Sequence, residues 1–225
     1  MSEASEAIEE RRALKDRILE AALAHAAFDG WSRRTLHNAA ADCGLDAATA
    51  DRLFPAGGDG LLRWLDDWGD RQMLAAVADE DLTRLSIRRR VARLVRARLE
   101  ALGQHREALR RALAARSLPQ NLLGGSEAVW RTVDLIWEAA GLGADSGERW
   151  SWYTRRASLA GVLVATTIYW LDDPSEGQSE SWAFLERRID NVLQIGKLRA
   201  RLEELLRAVP GLDGRFGSHR GPAAQ

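Results

Sequence analysis

The sequence has a single cysteine and almost no net charge, and each of these features excludes a class of protein. Its 225 residues include one cysteine, Cys43, which excludes an internal disulfide framework and any thiolate-rich metal site. The formal net charge is −1, so no bulk attraction to nucleic acid or to acidic membranes is expected. The length is sufficient for one sizeable core, with room for a small N-terminal subdomain.

The first residues, MSEASEAIEERR, are acidic and contain no apolar run. This composition is typical of neither a secretory signal nor an organelle transit peptide, which is rich in arginine and poor in acidic residues. We therefore expect a cytoplasmic protein, and a start without a presequence favours a bacterial one.

Catalytic motifs are also lacking. The four histidines, at positions 25, 37, 105 and 219, are scattered, and none has the Glu-x-x-His spacing of a di-iron bundle. The glycine-rich stretch 57–60 lacks the lysine and the Ser or Thr of a phosphate-binding loop. The sequence predicts a protein that is not an enzyme, with no catalytic residue, no metal site and no cofactor.

Apolar residues recur at i, i+3 and i+4 in most windows, a pattern that predicts an all-α protein. Asp46, Ser126 and Asp145 are suited to cap helix starts, and glycines at 30, 44, 103 and 141 are suited to follow helix ends. The predicted helices span residues 7–29, 34–42, 47–53, 58–79, 85–102, 105–116, 126–140, 147–171, 178–195 and 197–208.

The segment 157–171 contains no charged residue, and it is shorter than the roughly 20 residues of a membrane span. It predicts the central helix of a bundle, buried by protein or by lipid. Trp152 and Tyr153 precede it. Because adjacent residues project about 100° apart on a helix, at least one of these aromatics should lie at an edge or an interface; core positions for both are the alternative.

Two further stretches are strongly patterned. Between Arg84 and Arg116, eleven arginines oppose two glutamates, which indicates either a solvated face paired with the acidic N-terminal third or a surface that steers a partner or headgroup. The spacing of apolar residues predicts an amphipathic helix over residues 197–209, which either docks on its own bundle or a coiled-coil partner, or lies in a membrane interface.

The first third resembles the helix-turn-helix domain of TetR-type repressors. The resemblance rests on Gly30-Trp31, on Cys43-Gly44-Leu45 and on Leu53-Phe54-Pro55. The helix that would enter the major groove, 46–53, offers one arginine against two carboxylates, and residues 13–70 contain six basic and ten acidic side chains. Phosphate neutralisation drives DNA affinity, so the pattern favours this fold without DNA binding.

A second resemblance covers residues 15 to 196. The stretches 150–156 (WSWYTRR) and 182–189 (WAFLERRI), together with Ile136-Trp137 and the loop 118–121, resemble the family of the ninth Coq protein of ubiquinone biosynthesis. The resemblance implies a TetR-like helical bundle that is homodimeric, binds no DNA and holds an isoprenoid quinone precursor or a phospholipid. It also implies presentation of the precursor to a membrane-associated di-iron demethoxyubiquinone hydroxylase.

The same resemblance implies three sets of site residues. The lipid-binding set is Leu94, Leu159, Val162, Leu163, Thr166 and Leu185, and a packed core without a void is the alternative. The set that contacts the hydroxylase is Ile136, Trp137, Trp152 and Tyr153. The set that makes weak, reversible membrane contacts is Ile195, Leu198, Leu202 and Leu205.

The expected organisation is a flexible N-terminus (1–12), a helix-turn-helix-like subdomain (13–70), a lipid-binding helical bundle (71–196), an amphipathic helix (197–209) and a disordered tail (210–225). The alternative function is a TetR-type repressor whose cavity senses a small apolar molecule.

Overall fold

A computed structural model describes residues 3–117, 122–142 and 149–192, and these residues form helices and connecting turns with no β-strand among them. Short 3₁₀ turns precede α5, α6 and α9. The α-helices, in chain order, are α1 (Glu3–Asp29), α2 (Arg33–Asp42), α3 (Ala47–Leu53), α4 (Gly58–Ala76), α5 (Ile87–Ala101), α6 (Arg106–Arg116), α7 (Leu122–Ala139), α8 (Arg149–Leu171) and α9 (179–192).

Local signals in the sequence account for several helix ends. Asp46 accepts a hydrogen bond from the Thr49 backbone amide at 2.6 Å and caps α3 as predicted. Gly30, Gly44 and Gly141 follow helices with φ between 71° and 78°, the left-handed conformation that glycine adopts without steric cost.

Two helices begin earlier than the sequence predicts. α1 starts at Glu3, so most of segment 1–12 continues the first helix, since Ala, Glu and Arg are strong helix formers. α7 starts at Leu122, which places Ser126 inside the helix rather than at its cap. The Gly124-Gly125 pair lies in the first turn of α7, where the backbone amides have no intrahelical partner to lose. The Asp145 cap and the helix 197–208 lie outside the described residues.

The core consists of two adjoining clusters. The N-terminal cluster joins α1, α2, α3 and the start of α4; its buried members are Ile18, Ala22, Leu36, Ala39, Ala40, Ala50, Phe54 and Leu61. The main cluster is built from α1 and from α4 to α9. Trp31 and Trp64 pack against both clusters, and the indole of Trp31 donates to the Ala108 carbonyl at 2.9 Å.

Helix α4 belongs to both clusters, because Leu61 faces the first and Leu62 the second. The predicted subdomain boundary at residue 70 falls inside this helix. The N-terminal cluster is therefore joined to the main bundle by α4, which runs through both without a break.

Candidate lipid and partner sites

Helix α8 has two different sides. Its inner side contributes Leu159, Leu163, Thr166 and Trp170, which are 0–6% exposed. Its outer side, which we term the outer stripe, consists of Ala157, Gly161, Val164 and Ile168 at 4-3-4 spacing. Val164 and Ile168 are 38% and 53% exposed. The segment was predicted to be buried throughout, but the described residues of a single chain leave this stripe uncovered.

The six residues predicted to bind lipid are brought together in the main bundle. All are buried: Leu94, Leu159, Val162, Leu163, Thr166 and Leu185. The five apolar ones belong to the main core cluster, where they pack against neighbouring side chains. Leu163 also lines a cavity, described next, and the other five are not in its wall.

The cavity has a volume of about 70 Å³ and is enclosed by α4, α5, α6, α7 and α8. It reaches the surface at Val164 of the outer stripe. Its wall is mostly apolar, with charge at one end; the lining residues are Leu65, Asp66, Arg98, Leu102, Leu109, Ala112, Leu113, Arg116, Ala128, Val129, Thr132, Leu163, Val164 and Thr167. This volume is too small to enclose a polyprenyl chain.

The charged end of the cavity is a buried network that the sequence did not reveal. Asp66 and Asp70 lie one turn apart on α4 and face inward, with 5% and 2% exposure. Arg98 Nε donates to Asp70 Oδ1 at 2.8 Å, and Thr132 Oγ1 donates to the same oxygen at 2.8 Å. Arg116 Nη2 donates to Asp66 Oδ2 at 2.6 Å. The network ties α4 to α5, α6 and α7.

Two other buried polar atoms have no hydrogen-bond partner among the described residues. They are Thr166 Oγ1 and Trp170 Nε1, one turn apart on the inner side of α8. An unsatisfied buried polar group costs about 1–3 kcal/mol. Thr166 is the one polar member of the predicted lipid-binding set.

The structure describes the side chains of only two of the four residues predicted to bind the hydroxylase, Ile136 and Trp137. Ile136 is fully buried and Trp137 is 9% exposed, so the expectation that these two belong to a surface patch is corrected. Arg156 explains the burial of the indole: its guanidinium lies 5.2 Å from the Trp137 ring centre, and its Nε donates to Asp134 at 2.5 Å. The indole itself donates to the Leu142 carbonyl at 2.8 Å. The second arginine of the WYTRR motif thus joins α8 to α7 inside the bundle.

Trp152 and Tyr153 lie on α8, but their side chains are outside the described residues. The predicted membrane-contacting residues Ile195, Leu198, Leu202 and Leu205 also lie outside them. Among the described helices, none is both long and apolar enough to cross a membrane.

The arginine-rich stretch is largely paired. Nine of its eleven arginines donate hydrogen bonds to carboxylates, to backbone carbonyls or to both, and Arg88 forms an ion pair with Asp190. The predicted pairing with the acidic N-terminal third holds for Asp66 and Asp70; other partners include Glu80 and Asp81 before α5, and Asp172 after α8. Exposed pairs of this kind contribute little to stability, so the stretch is mainly a solvated, internally compensated face.

Helix α3 is the helix that the sequence pattern placed at the major groove of a TetR-type repressor. Asp51 accepts hydrogen bonds from His37 and Arg33, and its pKa is lowered, chiefly by the bond from His37. Arg52 donates to Thr49 at 2.6 Å. The one arginine of this helix is therefore engaged locally, beside an anionic Asp51.

Lys15 of α1 is likewise unsuited to a phosphate contact. Its amine lies 3.5 Å from the ring centre of Trp64, a cation–π contact, and burial lowers its pKa. No cluster of three or more His, Cys, Asp or Glu side chains suited to a metal ion occurs in the described part of the chain.

Comparison with known proteins gives the family. The COQ9 family model matches residues 124–196. The ubiquinone biosynthesis protein COQ9-B, mitochondrial, of Xenopus laevis is 31% identical over 201 residues, which cover 86% of this chain and 67% of that protein. This chain belongs to the COQ9 family. The COQ9 protein of Homo sapiens, also named mitochondrial, is 28% identical over 94% of this chain and 68% of its own length.

The fold has a solved counterpart. A TetR transcriptional regulator from Nitrosomonas europaea superposes with a TM-score of 0.66 and 22% identity, covering 81% of this chain and 99% of the regulator. The prediction of an all-α, TetR-like fold is confirmed.

Proposed function

We propose that this COQ9-family chain is a non-catalytic, lipid-binding accessory protein of ubiquinone biosynthesis. In this proposal it binds an isoprenoid quinone precursor and presents it to a membrane-associated di-iron demethoxyubiquinone hydroxylase. Family membership carries the proposal, because the COQ9 relatives are named ubiquinone biosynthesis proteins and that supports a role in the same process.

Three features of the bundle support a ligand with an apolar body and polar atoms. Between Leu159 and Trp170 the inner side of α8 is uncharged, and the cavity beside it ends in a buried charged network. The Thr166 hydroxyl and the Trp170 indole have no hydrogen-bond partner among the described residues. Because side chains pack closely around the predicted wall and the cavity is small, a long isoprenoid tail requires the helices to separate or must lie outside the core.

The start of α8 is the proposed docking site for the hydroxylase, through Trp152 and Tyr153. Tyr153→Lys should abolish co-purification with the hydroxylase while leaving the melting temperature nearly unchanged. Phe28→Lys, at an aromatic residue of α1 that is 82% exposed, is the matched control and should retain the complex. Intact association of the Tyr153→Lys variant would refute the assignment.

A second copy of this chain is the proposed cover for the outer stripe, giving a homodimer through α8 and α9. Uncharged, partly exposed aliphatic residues at regular helical spacing suit a helix–helix interface. Tyr169 and Phe184 join the two helices by stacking at 4.6 Å. Ile168→Glu should convert a dimer into a monomer in size-exclusion chromatography with light scattering; an unchanged mass would exclude this interface.

Residues 197–209 are proposed to reach the membrane. The apolar stripe of this segment lacks Trp and Phe, and its polar face carries two glutamates. Membrane binding is therefore expected to be weak, reversible and peripheral, in a bacterial cytoplasm. Co-sedimentation with anionic vesicles should be lost on Leu202→Glu. Equal sedimentation of both forms would place the contact elsewhere.

The alternative function is a TetR-type repressor that responds to a ligand, and the likeness to a TetR regulator favours it. The engaged Arg52, the half-buried Lys15 beneath Trp64 and the acidic first third argue against DNA affinity. Tight, salt-sensitive binding to upstream DNA at low salt would support the repressor; the proposed function predicts none.

A further inference from the structure

A second concave feature, with a volume of about 320 Å³, is lined by residues of α1, α3, α4 and α7. It is separate from the cavity beside α8, because no residue lines both. Its apolar wall comes from the end of α3, the turn that follows and α4, and consists of Leu53, Phe54, Pro55, Ala56, Gly60 and Trp64. The other lining residues are charged, namely Lys15, Arg63, Asp67 and Arg131. We term this feature the cationic groove.

Three cations from three different helices line the cationic groove. Lys15 of α1 and Arg63 of α4 have no hydrogen bond and no ion pair in the described part of the chain. Arg131 of α7 forms one ion pair, 3.8 Å from Asp70, and is 46% exposed. The arginine-rich stretch 84–116 is largely paired by contrast. The groove therefore gathers positive charge, most of which the described helices leave without a carboxylate partner.

The carboxylates that act on Lys15 are already engaged. Asp16 accepts hydrogen bonds from Arg71 at 2.7 and 2.8 Å, and Asp67 accepts one from the same guanidinium at 2.9 Å. Both carboxylates favour the charged amine, but burial and the charge of Arg11 outweigh them and hold the pKa of Lys15 below its ordinary value. A partly desolvated ammonium of this kind gains free energy when an anion comes near it.

The floor of the groove leaves the Lys15 amine with free donors. The amine lies 3.5 Å from the ring centre of Trp64 and 4.7 Å from that of Phe54, which are cation–π contacts. A lysine ammonium has three N–H donors, and none of them makes a hydrogen bond among the described residues. Lys15 therefore offers charge and hydrogen bonds to a group that enters the groove.

We propose that the cationic groove binds an acidic segment of a partner protein. Carboxylates of that segment pair with Lys15, Arg63 and Arg131, and an apolar side chain between them packs on Leu53 and Pro55. Complementary charge gives such a contact its specificity. This docking site goes beyond the proposed function and does not depend on it.

The size and depth of the groove favour a peptide over other anions. Its volume of about 320 Å³ is roughly twice that of an approximately 150 Å³ cavity that binds benzene, so one small anion would leave most of it empty. Lys15 is half-buried beneath Trp64. A flexible side chain can reach the amine at this depth, whereas the phosphates of a rigid duplex cannot.

The test uses a short fluorescein-labelled peptide of alternating acidic residues and leucines, titrated with the full chain and followed by fluorescence anisotropy. A matched peptide carries Gln and Asn in place of every Glu and Asp. The acidic peptide should bind the wild-type protein about tenfold or more tightly than the neutral one. Its affinity should fall as the salt concentration rises, because exposed charges are screened.

Two variants and one control locate the binding. Arg63→Glu should weaken binding of the acidic peptide by about tenfold. Lys15→Met keeps an unbranched side chain against Trp64 and removes the charge, so it should weaken binding severalfold. Arg89→Glu makes the same charge change at an exposed, unpaired arginine of α5 outside the groove, and it should bind like wild type. A thermal melt establishes that each variant folds.

Equal affinity for the two peptides, or no binding of either, would overturn the proposal. Equal losses in Arg63→Glu and Arg89→Glu would overturn it as well, since they would show long-range attraction to the whole chain. Complete displacement by inorganic phosphate at constant ionic strength would assign the groove to a small anion instead. If Arg63→Glu fails to fold, unchanged binding by Lys15→Met decides against the groove. None of these results bears on lipid extraction, which tests the proposed function separately.

Discussion

The N-terminal cluster and the main bundle are built from the same helical elements but differ in how they treat polar groups. In the N-terminal cluster the buried residues are mostly alanine and leucine, and the helix starts are capped by Ser32 and Asp46. The main bundle holds a cavity, five charged or polar groups in a buried network, and the Thr166 and Trp170 atoms that have no hydrogen-bond partner among the described residues.

Under the proposed function, this difference is that between a scaffold and a binding site. Buried polar groups stabilise a fold only when every member is satisfied, and unsatisfied ones persist where another role retains them. The N-terminal cluster follows the rules for stability, whereas the main bundle departs from them at Thr166 and Trp170 of α8. We therefore expect loss of a cap in the N-terminal cluster to lower stability without changing ligand binding. Removal of an unsatisfied polar group in the main bundle should instead raise stability and weaken ligand binding.

The largest effect is expected from Arg98→Met. It leaves Asp70 without its buried cation and Asp66 with Arg116 alone, which should lower the free energy of unfolding by about 3–5 kcal/mol. Urea denaturation followed by circular dichroism measures the loss. A loss below about 1 kcal/mol would mean that water enters the network freely.

Asp173 gives a pH-dependent effect at the turn from α8 to α9. Burial alone would raise the pKa of Asp173, but hydrogen bonds from Ser175 and Ser181 outweigh it and hold the pKa below its ordinary value. A lowered pKa stabilises the fold above the unfolded-state value of about 3.9 and loses that contribution as the pH falls below it.

Asp173→Asn should therefore lower the melting temperature at pH 7, and the gap from wild type should narrow as the pH is lowered from about 5 to 3. Differential scanning fluorimetry across this range makes the measurement. A gap that stays constant would show that the carboxylate charge contributes nothing at this turn.

Ser32→Ala probes the N-terminal cluster. Ser32 accepts a hydrogen bond from the Thr35 amide at 3.1 Å, and loss of such a cap should cost about 1 kcal/mol. Quinone affinity should not change, since the cap is not part of the cavity wall. Altered affinity with an unchanged free energy of unfolding would contradict the separation of scaffold from site.

Thr166→Val should have a small effect of the opposite sign. Valine keeps the shape of threonine and removes the unsatisfied hydroxyl, so the free energy of unfolding should rise by about 1 kcal/mol. Lipid binding should weaken at the same time. A lower melting temperature would show that the hydroxyl is satisfied within the protein and has no ligand to meet.

The helices could be predicted because their signals are local. Asp46 marked the start of α3, and Gly30 and Gly44 marked the ends of α1 and α2, as the structure has them. The site could not be predicted in the same way, since Arg98 and Thr132 meet Asp70 from 28 and 62 residues away. No spacing rule connects such positions.

The resemblance to the family was right about family membership, but it led to a wrong prediction of which residues are exposed. The family resemblance implied that Ile136 and Trp137 belong to an apolar surface patch, yet they lie in the core. An arginine in a motif suggests a surface, but Arg156 is buried between Asp134 and the Trp137 ring. Pairing across helices decided its position, and that pairing has no signature in the sequence alone.

Lipid extraction of the purified protein, followed by mass spectrometry, tests the central claim most directly. The account predicts an isoprenoid quinone species in the wild-type extract at near-stoichiometric amounts and much less of it from Thr166→Val. An extract that contains only phospholipid, or no lipid, would contradict it.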